Sequence, residues 1–251
     1  MSDLTRQLGL ILREFPVHPV RVARALPGEW RQRRGATPWT ESDFDDDWYE
    51  HLHGLLADIS ELLTAQGLGL GRRTYGWYSD ADIELCGAIW CTVLHARPSV
   101  VIETGVAHGI SSRIVLEALA RNDNGHLWSI DLPHPFNHKL HGQTGVAVTD
   151  PHRPRWTYLE GESRRRMPPL VAEVGKVELF IHDSLHTAKN TLFEVEQAAS
   201  VMSAGGVLLV DDIRGHDGFK TFARRHPDFK TVLCSSADRE AGFGIAVCGA
   251  T

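Results

Sequence analysis

Three carboxylates follow two short apolar runs of the sequence. Asp183 comes after Val177–Ile181, and Asp211 and Asp212 come directly after Val207–Val210. Each run is too short for a helix and apolar almost throughout, which predicts parallel strands buried on both faces. The carboxyl ends of parallel strands meet at one edge of a sheet, where ligands bind. We therefore expect the three acids to converge there, which calls for a cation or a catalytic role.

The segment between the two runs indicates how they are connected. Apolar residues recur at helical spacing, and a Gly-Gly pair at 205–206 precedes the second run as a predicted turn. The members of the predicted helical face are Leu192, Val195, Ala199 and Met202. A strand, a helix and a second strand in this order form a βαβ unit.

A glycine-bearing turn lies further upstream. The predicted strand Ser99–Ile102 leads into the sequence ETGVAHG at 103–109, and a helical pattern follows. A strand, a glycine turn and a helix open a doubly wound nucleotide-binding fold. The turn is neither GxGxxG nor a P-loop, which disfavours a pyrophosphate ligand. The acidic Glu103 would repel phosphate and suits a ligand that carries an amino group.

Another acid follows the next predicted strand. Asp131 ends the run His126–Ile130. It lies about 20 residues beyond the glycine turn, where folds of this kind hydrogen-bond ribose hydroxyls. The alternative interpretation is an ordinary loop acid or a helix cap.

Composition restricts the class of protein. The chain has 251 residues and a formal charge of −6, which argues against a general nucleic-acid binder. The four cysteines form no CxxC pair and indicate reduced thiols of a cytosolic protein. There is no signal-peptide pattern and no apolar run approaching about 18 residues, so we expect a cytoplasmic protein that neither spans nor binds a membrane.

The regions outside these motifs predict an N-terminal extension, a long loop and a terminal hairpin. Residues 1–80 indicate an N-terminal helical extension, whose aromatic end at 75–78 could act as a lid, and residues 81–251 the core domain. The loop 133–155 carries four histidines, which suit zinc in principle but match no closed zinc pattern, so polar loop residues near a substrate are the favoured interpretation. Phe229–Cys234 and Phe243–Val247 predict an antiparallel pair.

The motifs ETGVAHGISS, SIDL, GES, FIHDSLHT and LLVDDI occur in this order over about residues 80–250. Together they resemble a class I S-adenosylmethionine-dependent methyltransferase. More narrowly, the chain resembles the methyltransferase family 24 type, with the macrocin and mycinamicin sugar O-methyltransferases, and distantly catechol O-methyltransferase. The resemblance implies an α/β fold with a doubly wound seven-stranded sheet, mostly parallel with an antiparallel last strand, behind the N-terminal helical extension.

The resemblance also implies which residues form the site. Those expected to contact S-adenosylmethionine are Glu103, Thr104, Gly105, Gly109, Ser111, Ser112, Asp131, Leu132, Ser163 and Asp183. A divalent cation, most naturally Mg²⁺ given oxygen ligands without thiolate, would be held by Asp183, Asp211 and Asp212. The catechol enzyme has Asp-Asn where this chain has Asp211-Asp212. His186 matches the position of a base, and a neutral imidazole there could accept a proton beside Asp183.

The expected function is O-methylation of a small-molecule hydroxyl, on a sugar or a phenolic natural product. The expected partner is that acceptor, with no nucleic acid and no membrane, and a homo-oligomer (dimer or tetramer) is left open. The alternatives are a hydroxylase-associated protein or a non-catalytic cofactor-binding protein on the same fold. An NAD-dependent dehydrogenase is disfavoured because GxGxxG is absent.

Overall fold

The computed structural model describes residues 48–71, 73–76, 78–134, 137–235 and 242–249. The first 47 residues, which hold most of the predicted N-terminal extension, lie outside the described residues. The predicted helix at the end of that extension is present as α1, which runs from Trp48 to Ala65.

The core is a seven-stranded sheet. In chain order its strands are β1 (Val100–Thr104), β2 (His126–Asp131), β3 (Trp156–Glu160), β4 (Val177–His182), β5 (Met202–Val210), β6 (Phe229–Ser235) and β7 (Gly242–Cys248). Their order across the sheet is β3-β2-β1-β4-β5-β7-β6. The first five strands are parallel, and β7 pairs antiparallel with both β5 and β6. The predicted doubly wound sheet with an antiparallel last strand is confirmed.

Helices cover both faces of the sheet. After α1 they are α2 (Ile83–Ala96), α3 (Ile110–Arg121), α4 (Ser163–Val174), α5 (Ala188–Ala199) and α6 (Gly218–Arg225). The first three helices share one apolar cluster with Leu179 and Ile181 of β4, whereas α4, α5 and α6 share the other with Phe180. Alternate residues of a buried strand thus serve opposite layers, which is why the strand is apolar throughout. No helix among the described residues is long and apolar enough to cross a membrane.

One predicted boundary is wrong. Met202 does not belong to the helical face, because α5 ends at Ala199 and β5 already begins at Met202. The glycine pair is therefore an irregularity within a strand rather than a turn before it. Gly205 has φ +79°, and the register between β4 and β5 shifts at this point. Glycine accommodates such a bulge because it carries no side chain.

The histidine-bearing loop is packed against the glycine turn. It contains two 3₁₀ helices, His138–Gln143 and Asp150–Arg155, and buries Val148. Two of its amides donate to the turn: Gly145 N to the carbonyl of Ala107 at 2.8 Å, and Ala147 N to the carbonyl of His108 at 2.9 Å. The loop therefore forms one wall beside the strand ends.

Register places the acid-bearing positions side by side. Thr104 pairs with His182, and His182 pairs with Val210, so each strand ends at the same level. The hydrogen bonding continues one residue further. The amide of Asp183 donates to the carbonyl of Thr104, and the amide of Asp211 donates to the carbonyl of His182, both at 2.9 Å. The predicted convergence of the acids at one edge of the sheet follows from this register.

The glycine at the end of β1 is required by a backbone contact. Gly105 has φ +86°, and a Cβ there would lie 1.9 Å from the carbonyl oxygen of Asp183. We expect Gly105→Ala to lower the free energy of unfolding by at least about 2 kcal/mol, measured by urea denaturation. Gly54→Ala is the matched control, because nothing lies within 4 Å of a Cβ on that exposed helical residue. It should instead raise stability by about 0.5–1 kcal/mol. Equal effects of the two substitutions would contradict this account.

Candidate active site

The glycine turn joins β1 to α3 at the centre of the sheet edge. Gly105 N donates to the carbonyl of Ile130 at 2.9 Å, which keeps the turn in line with β2. Gly109 has φ +87° and occupies the N-cap position of α3. A Cβ on Gly109 would lie 2.9 Å from the Cα of Gly145 in the histidine-bearing loop. Both glycines are thus explained by close backbone approach, and they leave the backbone of the turn accessible to a ligand.

Glu103 supports this turn from beneath. Its side chain is fully buried, and its carboxylate accepts hydrogen bonds from Ser111 and Ser112 at 2.5 Å and from Ser129 at 2.7 Å. Burial raises its pKa to about 7, although the three hydroxyls act in the opposite direction. The structure therefore differs from the expectation that Glu103 meets an amino group of the ligand. Its two oxygens hold the turn and α3 together, and the hydroxyls of both α3 serines face it rather than the cleft.

Asp131 connects β2 to the same turn. One carboxylate oxygen accepts from the amides of Val106 and Ala107 at 3.0 and 3.1 Å. Burial raises its pKa to about 6, against the effect of these amide donors. The next residue, Leu132, is exposed at the rim. The pair thus lies beside the glycine turn, with the acid bonded to the turn and the apolar side chain exposed.

Sequence reasoning missed Glu194. This α5 residue is fully buried, and its carboxylate accepts from Thr104 at 2.6 Å and His182 Nδ1 at 2.7 Å. Further donors are Ser184 and Asn190, and Ser163 also bonds it. Burial raises the pKa of Glu194, but these donors outweigh it and lower the pKa to about 2. Two of the predicted cofactor residues, Thr104 and Ser163, therefore have their hydroxyls engaged by this carboxylate.

The acids after β4 and β5 meet as predicted, with one difference. Ligand atoms of Asp183, His186 and Asp211 all lie within 4.8 Å of one another, which is close enough for one metal ion. Asp212 is not in this group. It has φ +50°, and its carboxylate instead lies 2.8 Å from His186 Nδ1. The structure thus brings together two of the three predicted metal acids and adds His186 to them.

Electrostatics at this cluster reverse the expected charge of His186. Burial lowers its pKa, but the neighbouring carboxylates of Asp183 and Asp212 outweigh burial and raise the pKa to about 10. The pKa of Asp211, only 3% exposed, is raised well above its ordinary value by burial and by the carboxylates of Asp183 and Asp212. His186 is therefore an imidazolium at neutral pH here, not the neutral base expected. Clustered carboxylates need a counter-charge, which the imidazolium supplies and a divalent cation would supply equally.

Tyr75 and Asp80 pack beside the glycine turn, whereas Trp77 of the predicted aromatic lid lies outside the described residues. Tyr75 is buried, its hydroxyl bonds Thr144 Oγ1 at 2.6 Å, and its ring meets His108 edge-on at 5.2 Å. His108 Nδ1 in turn lies 3.3 Å from Asp80, which accepts from the Gly71 amide at 2.9 Å. Tyr78 is 51% exposed and could still contact a ligand.

The loop histidines have partners within the protein. His141 Nε2 bonds the carbonyl of His134 at 3.0 Å, and His152 lies 2.9 Å from Glu117. The ring of His138 contacts that of His141 at 4.9 Å. Across the described ranges, a group of three residues able to hold a metal occurs at the acid cluster and not in this loop.

Comparison with known proteins relates part of the chain to methyltransferases. Residues 102–213, from β1 to the acids after β5, match the family model described as a methyltransferase domain. Over these residues, which make up less than half of the chain, the sequence is similar to the methyltransferase-domain family. No curated protein sequence is significantly similar to the chain.

Solved structures share the fold of this methyltransferase domain. An O-methyltransferase from Bacillus cereus, solved in complex with SAH, aligns with a TM-score of 0.58 at 14% identity, over 78% of this chain and 90% of that one. The O-methyltransferase TomG from Streptomyces achromogenes, solved in complex with SAM, aligns with a TM-score of 0.58 at 13% identity, over 78% and 90%.

The charge of the sheet edge fits the methyl donor. Asp131, Asp183 and Asp211 make the strand ends acidic, and Glu103 adds a buried carboxyl beneath them. S-adenosylmethionine carries a sulfonium and an ammonium group, so an acidic edge favours it. The same acids oppose the pyrophosphate of a dinucleotide, which agrees with the absence of GxGxxG.

The shifted pKa of His186 gives a pH dependence of stability. A histidine whose folded pKa exceeds its unfolded value stabilises the fold fully below about 6.5, and this contribution is lost as pH rises through about 10. With EDTA present, we expect His186→Gln to lower the free energy of unfolding by about 1–3 kcal/mol at pH 6.5. The difference from wild type should shrink steadily towards pH 10. Urea unfolding at each pH measures it, with the exposed His138→Gln as control, and a constant difference would contradict the assignment.

Proposed function

We propose that this methyltransferase transfers the methyl group of S-adenosylmethionine to a hydroxyl of a small molecule, with help from a divalent cation. The observation that carries the proposal is the meeting of Asp183, His186 and Asp211 within 4.8 Å, at strand ends adjoining the glycine turn. A methyl donor at the turn and a cation at the acids would lie side by side. This arrangement suits an acceptor hydroxyl positioned between them.

The acceptor is proposed to be a sugar or a phenolic natural product. TomG, which shares the fold, is described as involved in tomaymycin synthesis, a natural-product pathway. The acidic site and the formal charge of −6 favour such an acceptor over a nucleic acid. We also propose a cytoplasmic location, supported by the four cysteines, none of which forms a disulfide within the described part of the chain.

The residues of the cluster fit a divalent cation. Asp183 and Asp211 offer hard carboxylate oxygens of the kind that Mg²⁺ prefers, and the His186 imidazole beside them is kept for proton transfer. A cation bound there would lower the pKa of a coordinated hydroxyl and fix its orientation. Asp212 lies outside the group and holds His186 Nδ1 at 2.8 Å.

His186 is proposed to take the proton of the acceptor. Its Nδ1 is engaged by Asp212, so Nε2, which lies 3.5 Å from Asp183, is the atom free for proton transfer. A pKa of about 10 keeps this nitrogen protonated as long as the carboxylates are unneutralised. Every carboxylate charge that is neutralised lowers this pKa towards the ordinary value of about 6.5 and makes the imidazole a base. His186 can therefore accept a proton only when the negative charge of these carboxylates is neutralised.

Removal of the acids tests the proposal. Asp183→Asn and Asp211→Asn should each reduce methyl transfer at least about 100-fold, because each removes a charged oxygen ligand. Binding of S-adenosylmethionine, measured by calorimetry, should change by less than about threefold for Asp211→Asn. The control is Asp150→Asn, whose side chain is 97% exposed and which should retain full activity.

The assay uses methyl-labelled cofactor and a panel of sugars and phenols with Mg²⁺ or Mn²⁺. EDTA should abolish the transfer, and activity that is equal with and without EDTA would contradict the proposed role of the cation. Absence of S-adenosylmethionine binding would overturn the function itself. Binding of S-adenosylmethionine without transfer to any acceptor would instead favour a protein that has lost turnover.

Asp131 separates this cofactor from a dinucleotide. Asp131→Ala should weaken S-adenosylmethionine binding at least about tenfold, since it removes both the proposed ribose acceptor and the support of two turn amides. Calorimetry of the wild type should detect no binding of NAD. Tight binding of NAD, or an unchanged affinity of the variant for S-adenosylmethionine, would contradict the assignment.

A further inference from the structure

A chain of hydrogen bonds runs behind the acid cluster. His182, the last residue of β4, is fully buried and bonds Thr191 Oγ1 through Nε2 at 2.9 Å. The same hydroxyl, also fully buried on α5, lies 3.2 Å from His216 Nε2. His216 belongs to the segment between β5 and α6 that begins with Asp211 and Asp212. One hydroxyl thus joins the two segments that carry the acids.

The geometry assigns a direction to this chain. The Gly218 amide donates to His216 Nδ1 at 3.1 Å, so in the neutral ring the proton is on Nε2 and is donated to Thr191. The Thr191 hydroxyl can then donate to His182 Nε2. His182 in turn donates from Nδ1 to Glu194 at 2.7 Å. In this order every donor has an acceptor, and each imidazole has one defined tautomer.

The chain ends on the carboxylate that also holds β1. Glu194 accepts from Thr104, the residue before the glycine turn, at 2.6 Å. The start of α6 is packed closely at the other end, since a Cβ on Gly218 would lie 3.0 Å from the Cβ of Thr191. One polar network therefore links the ends of β1, β4 and β5, which precede the glycine turn, Asp183 and Asp211 respectively.

We propose that Thr191 is a positioning residue, whose hydroxyl couples His182 to His216 and so fixes how the segment after Asp212 is held against the end of β4. The inference rests on the proposed function, because that placement matters only if the acids act together. Thr191 touches neither acid itself. It acts through His182, which directly precedes Asp183, and through the segment that follows Asp212.

Loss of this hydroxyl should affect turnover more than cofactor binding. Thr191→Val keeps the shape of the side chain but leaves the two imidazoles without their shared partner. Groups that orient metal ligands typically contribute 10- to 100-fold to activity, so we expect kcat to fall at least about tenfold. The KM for S-adenosylmethionine should stay within about twofold, because Glu103 and Asp131 support the turn independently.

Two further variants separate positioning from general packing. Thr191→Ser restores a hydroxyl and should recover most of the lost kcat. Thr92→Val is the matched control, because Thr92 is equally buried on α2 but its hydroxyl has no hydrogen-bond partner among the residues that the structure describes. It should leave kcat unchanged. The inference is overturned if Thr191→Val keeps the wild-type kcat, or if Thr191→Ser is as slow as Thr191→Val.

The tautomers provide a readout that needs no turnover. Long-range ¹H–¹⁵N NMR spectra of the wild type should show His182 protonated on Nδ1 and His216 on Nε2. In Thr191→Val the His216 signals should shift, whereas His226, which pairs with Glu196 at 2.7 Å elsewhere, should not. His182 protonated on Nε2 alone would refute the chain.

The two failures can be told apart. If the wild type transfers no methyl group, the proposed function and the positioning role fall together, even with the predicted tautomers present. If the wild type is active and Thr191→Val is equally active, only this inference fails.

Discussion

The arrangement of the site depends on a carboxylate that is removed from water. Glu194 is fully buried on α5, yet its pKa is lowered to about 2 because its donors outweigh the cost of burial. Those donors come from β1, from the end of β4 and from the start of α4. An uncompensated buried charge costs several kcal/mol, so each of these elements must present its donor at the correct place. The electrostatic requirement of one side chain thereby constrains several segments that are distant in sequence.

The sheet could be predicted because its signals are local. Apolar runs, each followed by an acid, predict buried strands and their carboxyl ends, and the positions of Asp131, Asp183 and Asp211 follow directly. The boundary of β5 could not be predicted, since Met202 satisfies both the helical period and a strand. Only the pairing of β5 with β4 decides between them.

Glu194 and the charge of His186 could not be predicted, because both arise from non-local contacts. A glutamate within a helical pattern has the same sequence signal whether it faces water or the core. Its burial depends on Thr104 and His182, which lie in other elements. The pKa of His186 depends likewise on how closely three carboxylates approach it, and spacing along the chain does not give that distance. The positions of the acids along the chain can thus be predicted from the sequence, whereas the pKa values of Glu194 and His186 depend on contacts in the folded structure.

The contact between the glycine turn and the histidine-bearing loop has a consequence for the exchange of parts between related enzymes. Gly145 meets Gly109 backbone to backbone and also lies against Trp156, with no room for a Cβ at that place. Gly142, three residues earlier, has open space around it. A transplanted loop would therefore have to keep glycine at position 145, whereas position 142 could carry another small side chain. Within this loop, sequence variation is thus restricted where the backbone meets the glycine turn and permitted three residues earlier.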